Sequence, residues 1–150
     1  MILVFFSGCA KKEMGCTSVS PQAEETQITA YASANGITAV KHSSGLYYQV
    51  IEGGTGTRPT VDSTVEVSYV GKLLNGKIFD QSTSYKNKLG ELIEGWQLGI
   101  PLIKEGGKIR LIVPSALAYG CNPVTDPYTG VDLIPANSVL YFDVYLIDVK

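Results

Sequence analysis

The stretch that most narrows the choice of fold is SVLYFDVYLIDV, residues 138–149. Leu140, Phe142, Val144 and Leu146 fall on alternate positions, so a strand would carry all four on one face. Such a face needs an apolar cover. Shorter segments with the same alternation precede it: GLYYQVIEGG sets Leu46, Tyr48 and Val50 against Tyr47, Gln49 and Ile51. STVEVSYVGKLL puts Val65, Val67 and Tyr69 on one side, and Asn75 and Gly76 then predict a tight reversal into KIFDQS. KIRLIVP repeats the pattern with Ile109, Leu111 and Val113. Together these predict an antiparallel sheet with one covered face. The cover is ELIEGWQLGI, where Leu92, Ile93, Trp96 and Ile100 recur at helical spacing. Ile93 and Trp96 are expected to meet Val67, Phe142 and Val144 in the core. A helix laid over a twisted antiparallel sheet is an α+β layer architecture.

The β pattern begins at Ser44, so residues 44–150 form the main domain. Before it, AEETQITAYASANG places Ile28 and Tyr31 at helical spacing and ends on Asn35 and Gly36, predicting a short helix in a lead-in of residues 24–43. Residues 1–23 read as leader and tether. Residues 2–6 are apolar, and Ser7 and Gly8 stand directly before Cys9. Small residues before a cysteine, behind an apolar run, resemble a truncated bacterial lipoprotein signal with Cys9 as the lipidated residue. The run is too short to span a bilayer and lacks a basic flank, and the alternative is an unprocessed N-terminus. Of the three cysteines, Cys9, Cys16 and Cys121, none shows metal or redox spacing. Cys16 lies in the tether, so no core disulfide is expected; a bridge between Cys16 and Cys121 is the lesser alternative in an oxidising envelope.

Several chemistries are excluded by residue type. A net charge of -2 without clustered Lys and Arg argues against nucleic acid as a partner. His42, the single histidine, sits in a polar stretch and reads as a surface residue, which leaves no base for a hydrolytic triad. GGTGTRP leads into Pro59 rather than opening a helix, so it is a loop and not a phosphate cradle. NPVTDPYTGVD lacks the terminal Glu of a calcium loop, and Glu91 and Glu94 read as a solvated helix face. What remains is aromatic. Tyr69, Phe79, Trp96, Tyr119 and Phe142 come from separate segments and either fill a core or line a surface-open cup for an apolar cyclic group.

VSYVGKLLNGKIFDQS, LIEGWQLGI, GGKIRLIVPSALAYG and LIPANSVLYFDVYLIDV, in this order, resemble the FKBP-type peptidyl-prolyl cis-trans isomerases. The resemblance covers residues 44–150, and the helix and leader before it resemble envelope-targeted bacterial members. It implies a twisted, half-open antiparallel sheet wrapped around one short helix, with a short N-terminal helix ahead of it. It implies a pocket in which Tyr69, Phe79, Asp80, Ile93, Trp96, Tyr119 and Phe142 act on the bound X-Pro bond. Leu92, Ile134 and Tyr85 add substrate contacts, with Tyr85 as an aromatic wall. Asp80 is then a pocket-wall carboxylate oriented by the Tyr69 hydroxyl, the alternative being a carboxylate that merely ends a strand. No metal or cofactor is implied.

The implied partners are proline-containing unfolded or partly folded proteins and macrolide ligands of the FKBP class, with membrane attachment through Cys9. The implied location is the bacterial cell envelope. A non-catalytic binding module or holdase chaperone using the same cup is the second reading. Two segments depart from the family pattern: residues 81–91 read as a shortened loop and residues 121–133 as a lengthened one. A cup occluded by residues 121–133 would argue against catalysis.

Overall fold

The computed structural model describes residues 16–150. Six antiparallel strands form one sheet in the order β1-β2-β5-β8-β3-β4, where β1 is Val40–Lys41, β2 Tyr47–Glu52, β3 Thr64–Leu73, β4 Ile78–Lys88, β5 Lys108–Val113 and β8 Leu140–Val149. The long apolar strand β8 lies centrally, between β5 and β3. Alternation is followed closely where the sequence shows it. Val65, Val67, Tyr69 and Leu73 of β3 point inward with Leu140, Phe142, Val144 and Leu146 of β8. The reversal after β3 is the expected Asn-Gly turn: Gly76 has a φ of 91°, which costs glycine nothing, and the Asn75 side chain accepts from the Lys77 N–H at 2.9 Å.

The helix over this face, α2 (Glu94–Gly99), is shorter than the apolar spacing predicts. Leu92 and Ile93 are extended and precede it; their side chains are buried because the chain drops onto the sheet before the helix starts. Ile100 and Pro101 continue past it in a tight 3-10 turn. The helix can sit this low because Gly95 and Gly99, four apart, face β5. A β-carbon on Gly95 would lie 2.4 Å from Val113 Cγ1, and one on Gly99 would lie 2.6 Å from Leu111 Cδ2. Trp96, between them, is driven into the sheet.

Two expectations about coverage and the tether are corrected. The sheet is not covered on one face only. The first helix, α1 (Pro21–Ala34), lays Ile28 and Ala32 on the reverse face against Tyr47, Ile112, Val139 and Tyr141, forming a second apolar cluster. Strands β2 and β5 are therefore apolar on both sides at that end, which is why Leu46 and Tyr47 are buried as neighbours. Helix α1 starts at Pro21, with Ser20 as its cap, because Pro fits the first helical position and Ser accepts from a free N–H. The expectation of no core disulfide is also corrected: Cys16 and Cys121 are bonded, their Cα atoms 5.6 Å apart. The segment before α1 runs back along the domain, so Cys16 ends beside Cys121 instead of trailing as a tether.

The two departing segments also fold otherwise than expected. Residues 81–88 are not loop but the second half of β4, paired with β3 as far as Thr64. Residues 121–133 contain a small hairpin, β6 (Val124–Thr125) with β7 (Asp132–Ile134), closed by a turn in which Asp126 Oδ1 accepts from the Tyr128 and Thr129 N–H groups. Cys9 lies outside the described residues. Among the described residues no helix is long and apolar enough to cross a membrane.

Candidate active site

The site is made by two irregularities in one strand. Regular alternation would put Phe79 and Asp80 on opposite faces of β4. Gly71 pairs with Asp80 while Lys72 pairs with Ile78, so Phe79 is an extra residue, a β-bulge that turns both side chains inward. A second slip follows: Tyr69 pairs with Ser82 but Val67 with Tyr85, which brings Tyr85 back to the inner face. Gly71 leaves the space these rings need. A β-carbon there would lie 2.7 Å from Phe79 Cζ and 2.9 Å from Phe142 Cε1.

The rings then form a chain of edge-to-face contacts. Tyr85 meets Tyr69 at 6.0 Å between centroids, Tyr69 meets Trp96 at 5.0 Å, Trp96 meets Phe142 at 5.3 Å and Phe142 meets Phe79 at 5.6 Å. Interplanar angles of 74–88° match the quadrupole preference of aromatic pairs, each worth about 0.5–1.5 kcal/mol beyond burial. Into this apolar wall come a few polar groups. The Tyr69 hydroxyl donates to Asp80 Oδ2 at 2.5 Å, a charge-assisted bond, and Asn87 donates to the Tyr85 hydroxyl at 3.1 Å. The Tyr119 hydroxyl and the Trp96 indole N–H are buried and have no partner among the described residues. Ile93 is extended at the N-cap of α2, so its N–H takes no part in the ladder of that helix.

Electrostatics keep the hydroxyls protonated. Burial pushes Tyr69 far above the usual tyrosine range, and its bond to Asp80 adds to this. Burial does the same for Tyr119, with the charge of the nearby Asp80 carboxylate reinforcing it. Both hydroxyls are therefore protonated, and able to donate a hydrogen bond, at neutral pH. Among the described residues no group of three His, Cys, Asp or Glu side chains is placed to hold a metal ion.

The ten residues assigned to the pocket land in or against one cluster: Tyr69, Phe79, Tyr85, Leu92, Ile93, Trp96, Ile134 and Phe142 are buried together, Tyr119 packs on them, and Asp80 is bonded to Tyr69. A surface-open cup is not what the rings form. Trp96 and Phe142 expose no surface, and Val124 and Ile134 at the base of the β6–β7 hairpin close on the same cluster. Three contributors escaped the sequence reading. Gly71 supplies ring space, for which spacing gives no sign. Gln97 donates to the Leu92 carbonyl at 2.8 Å and holds the strand that presents Ile93. Glu24, discussed below, stands on the buried stripe of α1 with Ile28 and Ala32, and a carboxylate four residues before an apolar helical pair is a signal that can be read.

A groove of about 270 Å³ on the opposite sheet face, lined by Ile51, Ser68, Val70, Arg110 and Tyr145 among others, offers no such chemistry. The charges beside it pair with each other, Arg110 with Asp143 at 3.5 Å and Lys108 with Glu52 at 3.7 Å.

Known proteins resemble this chain in sequence and fold. The model of the FKBP-type peptidyl-prolyl cis-trans isomerase family matches residues 56–147. The chain is 46% identical over 112 residues to the FKBP-type peptidyl-prolyl cis-trans isomerase FkpA of Escherichia coli K12, an alignment spanning 72% of this chain and 39% of FkpA. A probable FKBP-type isomerase of Haemophilus influenzae is 37% identical over 138 residues, 89% of this chain and 55% of that protein. The chain thus spans about two fifths to a little over half of these relatives. The crystal structure of E. coli FkpA superposes with a TM-score of 0.72 at 39% identity, covering 87% of this chain and 61% of that one. A peptidyl-prolyl isomerase structure from Pseudomonas syringae pv. tomato gives 0.71 at 33% identity, covering 91% and 99%. From the family match and the shared fold, the chain belongs to the FKBP-type peptidyl-prolyl cis-trans isomerases.

Proposed function

We propose that the chain accelerates cis-trans rotation of X-Pro bonds in protein substrates of the bacterial cell envelope. The observation that carries this reading is the Tyr119 hydroxyl: buried, held protonated and without a partner among the described residues, beside a wall of rings. A buried donor left unpaired costs about 1–3 kcal/mol, so it is retained for an acceptor that arrives with a ligand.

Rotation about an X-Pro bond is slow because resonance stiffens the C–N bond, with a barrier of about 18–20 kcal/mol. The twisted transition state loses that resonance, so its amide dipole shrinks and its proline nitrogen becomes more basic. A dry aromatic site withdraws the water that favours the planar amide. Trp96, Phe79, Phe142 and Ile134 would grip the proline ring, with Leu92 and Tyr85 contacting its flanks. The Tyr119 O–H and the Ile93 N–H donate to carbonyls beside the bond, favouring the rotated geometry. Asp80, fixed by Tyr69, contributes a field rather than a proton. A gain of about 5–7 kcal/mol corresponds to roughly 10⁴- to 10⁵-fold.

The closure of the rings by Val124 and Ile134 counts against catalysis by a rigid site, so this reading requires the proline to displace a rim side chain before it meets Trp96. The Cys16–Cys121 bridge supports an oxidising compartment, in keeping with an envelope location. Lipid at Cys9 would hold the protein to a membrane there, and macrolides are candidate ligands of the same site.

The test is a proline-peptide isomerisation assay on the full chain. Wild-type catalysis well above a Trp96→Ala, Tyr119→Phe double variant supports the reading, and equal rates overturn it. A holdase role is the second reading, favoured by the hairpin tip, where Tyr128 is 95% exposed and Val131 is exposed beside it. Suppression of client aggregation that survives the double variant would support it, and its absence would remove it.

A further inference from the structure

Among the described residues the buried polar or charged set is Asp80, Glu24 and Ser115. Asp80 belongs to the site. Glu24 and Ser115 are bonded to each other across 91 residues of chain: Glu24 Oε1 accepts from the Ser115 N–H at 2.9 Å. Glu24 is 2% exposed on a helix whose Ile28 and Ala32 already dock it, so an apolar residue would serve adhesion as well. Burying a carboxylate instead is costly, and it specifies one bond in one direction.

What that bond fixes is the turn that presents Tyr119. The carbonyl of Ser115 accepts from the Ala118 N–H at 3.0 Å and the Gly120 N–H at 2.7 Å, the residues on either side of Tyr119. Ser115 is thus the peg of the turn, and its own N–H is tied to α1. The far end is fixed as well, since the Gly120 carbonyl accepts from the Asn137 N–H at 2.8 Å and Cys121 is bonded to Cys16, just ahead of α1. Helix α1 and the segment before it therefore hold both ends of the Tyr119 turn.

We propose that Glu24, a residue outside the matched family region, is a positioning residue that sets the Tyr119 hydroxyl over the ring-lined site through the Ser115 peptide. This rests on the isomerase reading above. Removing the carboxylate leaves the Ser115 N–H buried without an acceptor, and the turn shifts to relieve it. Small misplacement of a catalytic donor is expensive, so Glu24→Ala should lower kcat/KM about tenfold. Glu24→Gln keeps an oxygen acceptor and should stay within about threefold of wild type.

The experiment is a cycle on the full chain, with a proline tetrapeptide as probe, at a temperature where thermal melts show every variant folded. Glu24→Ala, Tyr119→Phe and the double variant are compared with wild type. Positioning through Tyr119 predicts that the double variant is no slower than Tyr119→Phe alone, and that Glu24→Gln rescues. The proposal is overturned if Glu24→Ala costs the same factor in both backgrounds, or costs nothing. A second readout is the NMR signals of the Tyr119 ring, which should move in Glu24→Ala and return in Glu24→Gln; unmoved signals also overturn it. If wild type shows no isomerase activity, the functional reading fails while the ring signals still decide the brace.

Discussion

Gly71→Ala is the sharpest probe of how the site is built. Its backbone is ordinary strand, with no positive φ, so alanine is tolerated by the main chain and only the space above it decides the outcome. The new β-carbon would sit 2.7 Å from Phe79 Cζ, 3.0 Å from Phe79 Cε2 and 2.9 Å from Phe142 Cε1. Phe142 exposes no surface and is held by Trp96 at 5.3 Å, so the ring that yields is Phe79 at the rim. Overpacking of this kind costs about 1–3 kcal/mol. Relieving a glycine in a strand returns about 0.5–1 kcal/mol, so the net loss is on the order of 1 kcal/mol. Phe79→Leu removes the atoms in the way, at a cost of about 1–2 kcal/mol from the lost ring pair and burial. In the double variant the two Phe79 contacts are relieved and only the 2.9 Å approach to Phe142 remains, so Gly71→Ala should cost less in the Phe79→Leu background than in wild type, a coupling of about 1 kcal/mol. Urea denaturation at constant m gives the energies, and the proline-peptide assay should show Gly71→Ala impaired because the Phe79 wall has moved. A Gly71→Ala variant as stable as wild type, or losses that add within about 0.5 kcal/mol, would refute this account of the ring packing.

Tyr69→Phe removes the donor at 2.5 Å from Asp80 and should cost about 1.5–3 kcal/mol of stability, with a fall in isomerase rate; a thermal melt unchanged from wild type would show that the pair contributes little. Ile28→Ala, at a side chain with no exposed surface between α1 and the sheet, should cost about 2–5 kcal/mol in urea, whereas a loss below about 1 kcal/mol would mean that α1 is not part of the cooperative core. Alkali should destabilise the fold. Tyr47 is pushed up to about 12 by burial and by its bond to Glu25, so the folded state keeps a proton that the unfolded chain releases near pH 10. The stabilisation is complete below about pH 10 and lost as pH rises through about 12, and melting temperatures across that window should fall more steeply for wild type than for Tyr47→Phe.

How far residues alone disclose this site depends on whether period two is kept. On β3 and β5, and on β8 as far as Leu146, it is, and the inward faces are readable because a strand buried on one side must alternate. On β2 and β5 the reading failed on the second face: Tyr47 and Ile112 look like outward residues until α1 is known to cover them, and whether a helix covers a sheet is a tertiary fact absent from the strand's own pattern. Helix α2 is shorter than its apolar spacing predicts for a related reason, since Leu92 and Ile93 are buried by the chain's descent onto the sheet and not by helical phase.

The irregular strand matters most for function. Had β4 alternated, Asp80 would face solvent whenever Phe79 faced the core, and Tyr69 would have no carboxylate to hold. The bulge against Gly71 breaks this exclusion and lets an apolar wall and a charge occupy the same side of one strand. The second slip does the same for Tyr85, whose ring would otherwise stand outside. A desolvating site that also needs oriented polar groups asks for what regular sheet geometry denies. The extra residues in β4 satisfy both demands, at the cost of ladder hydrogen bonds on an edge strand where water can replace them.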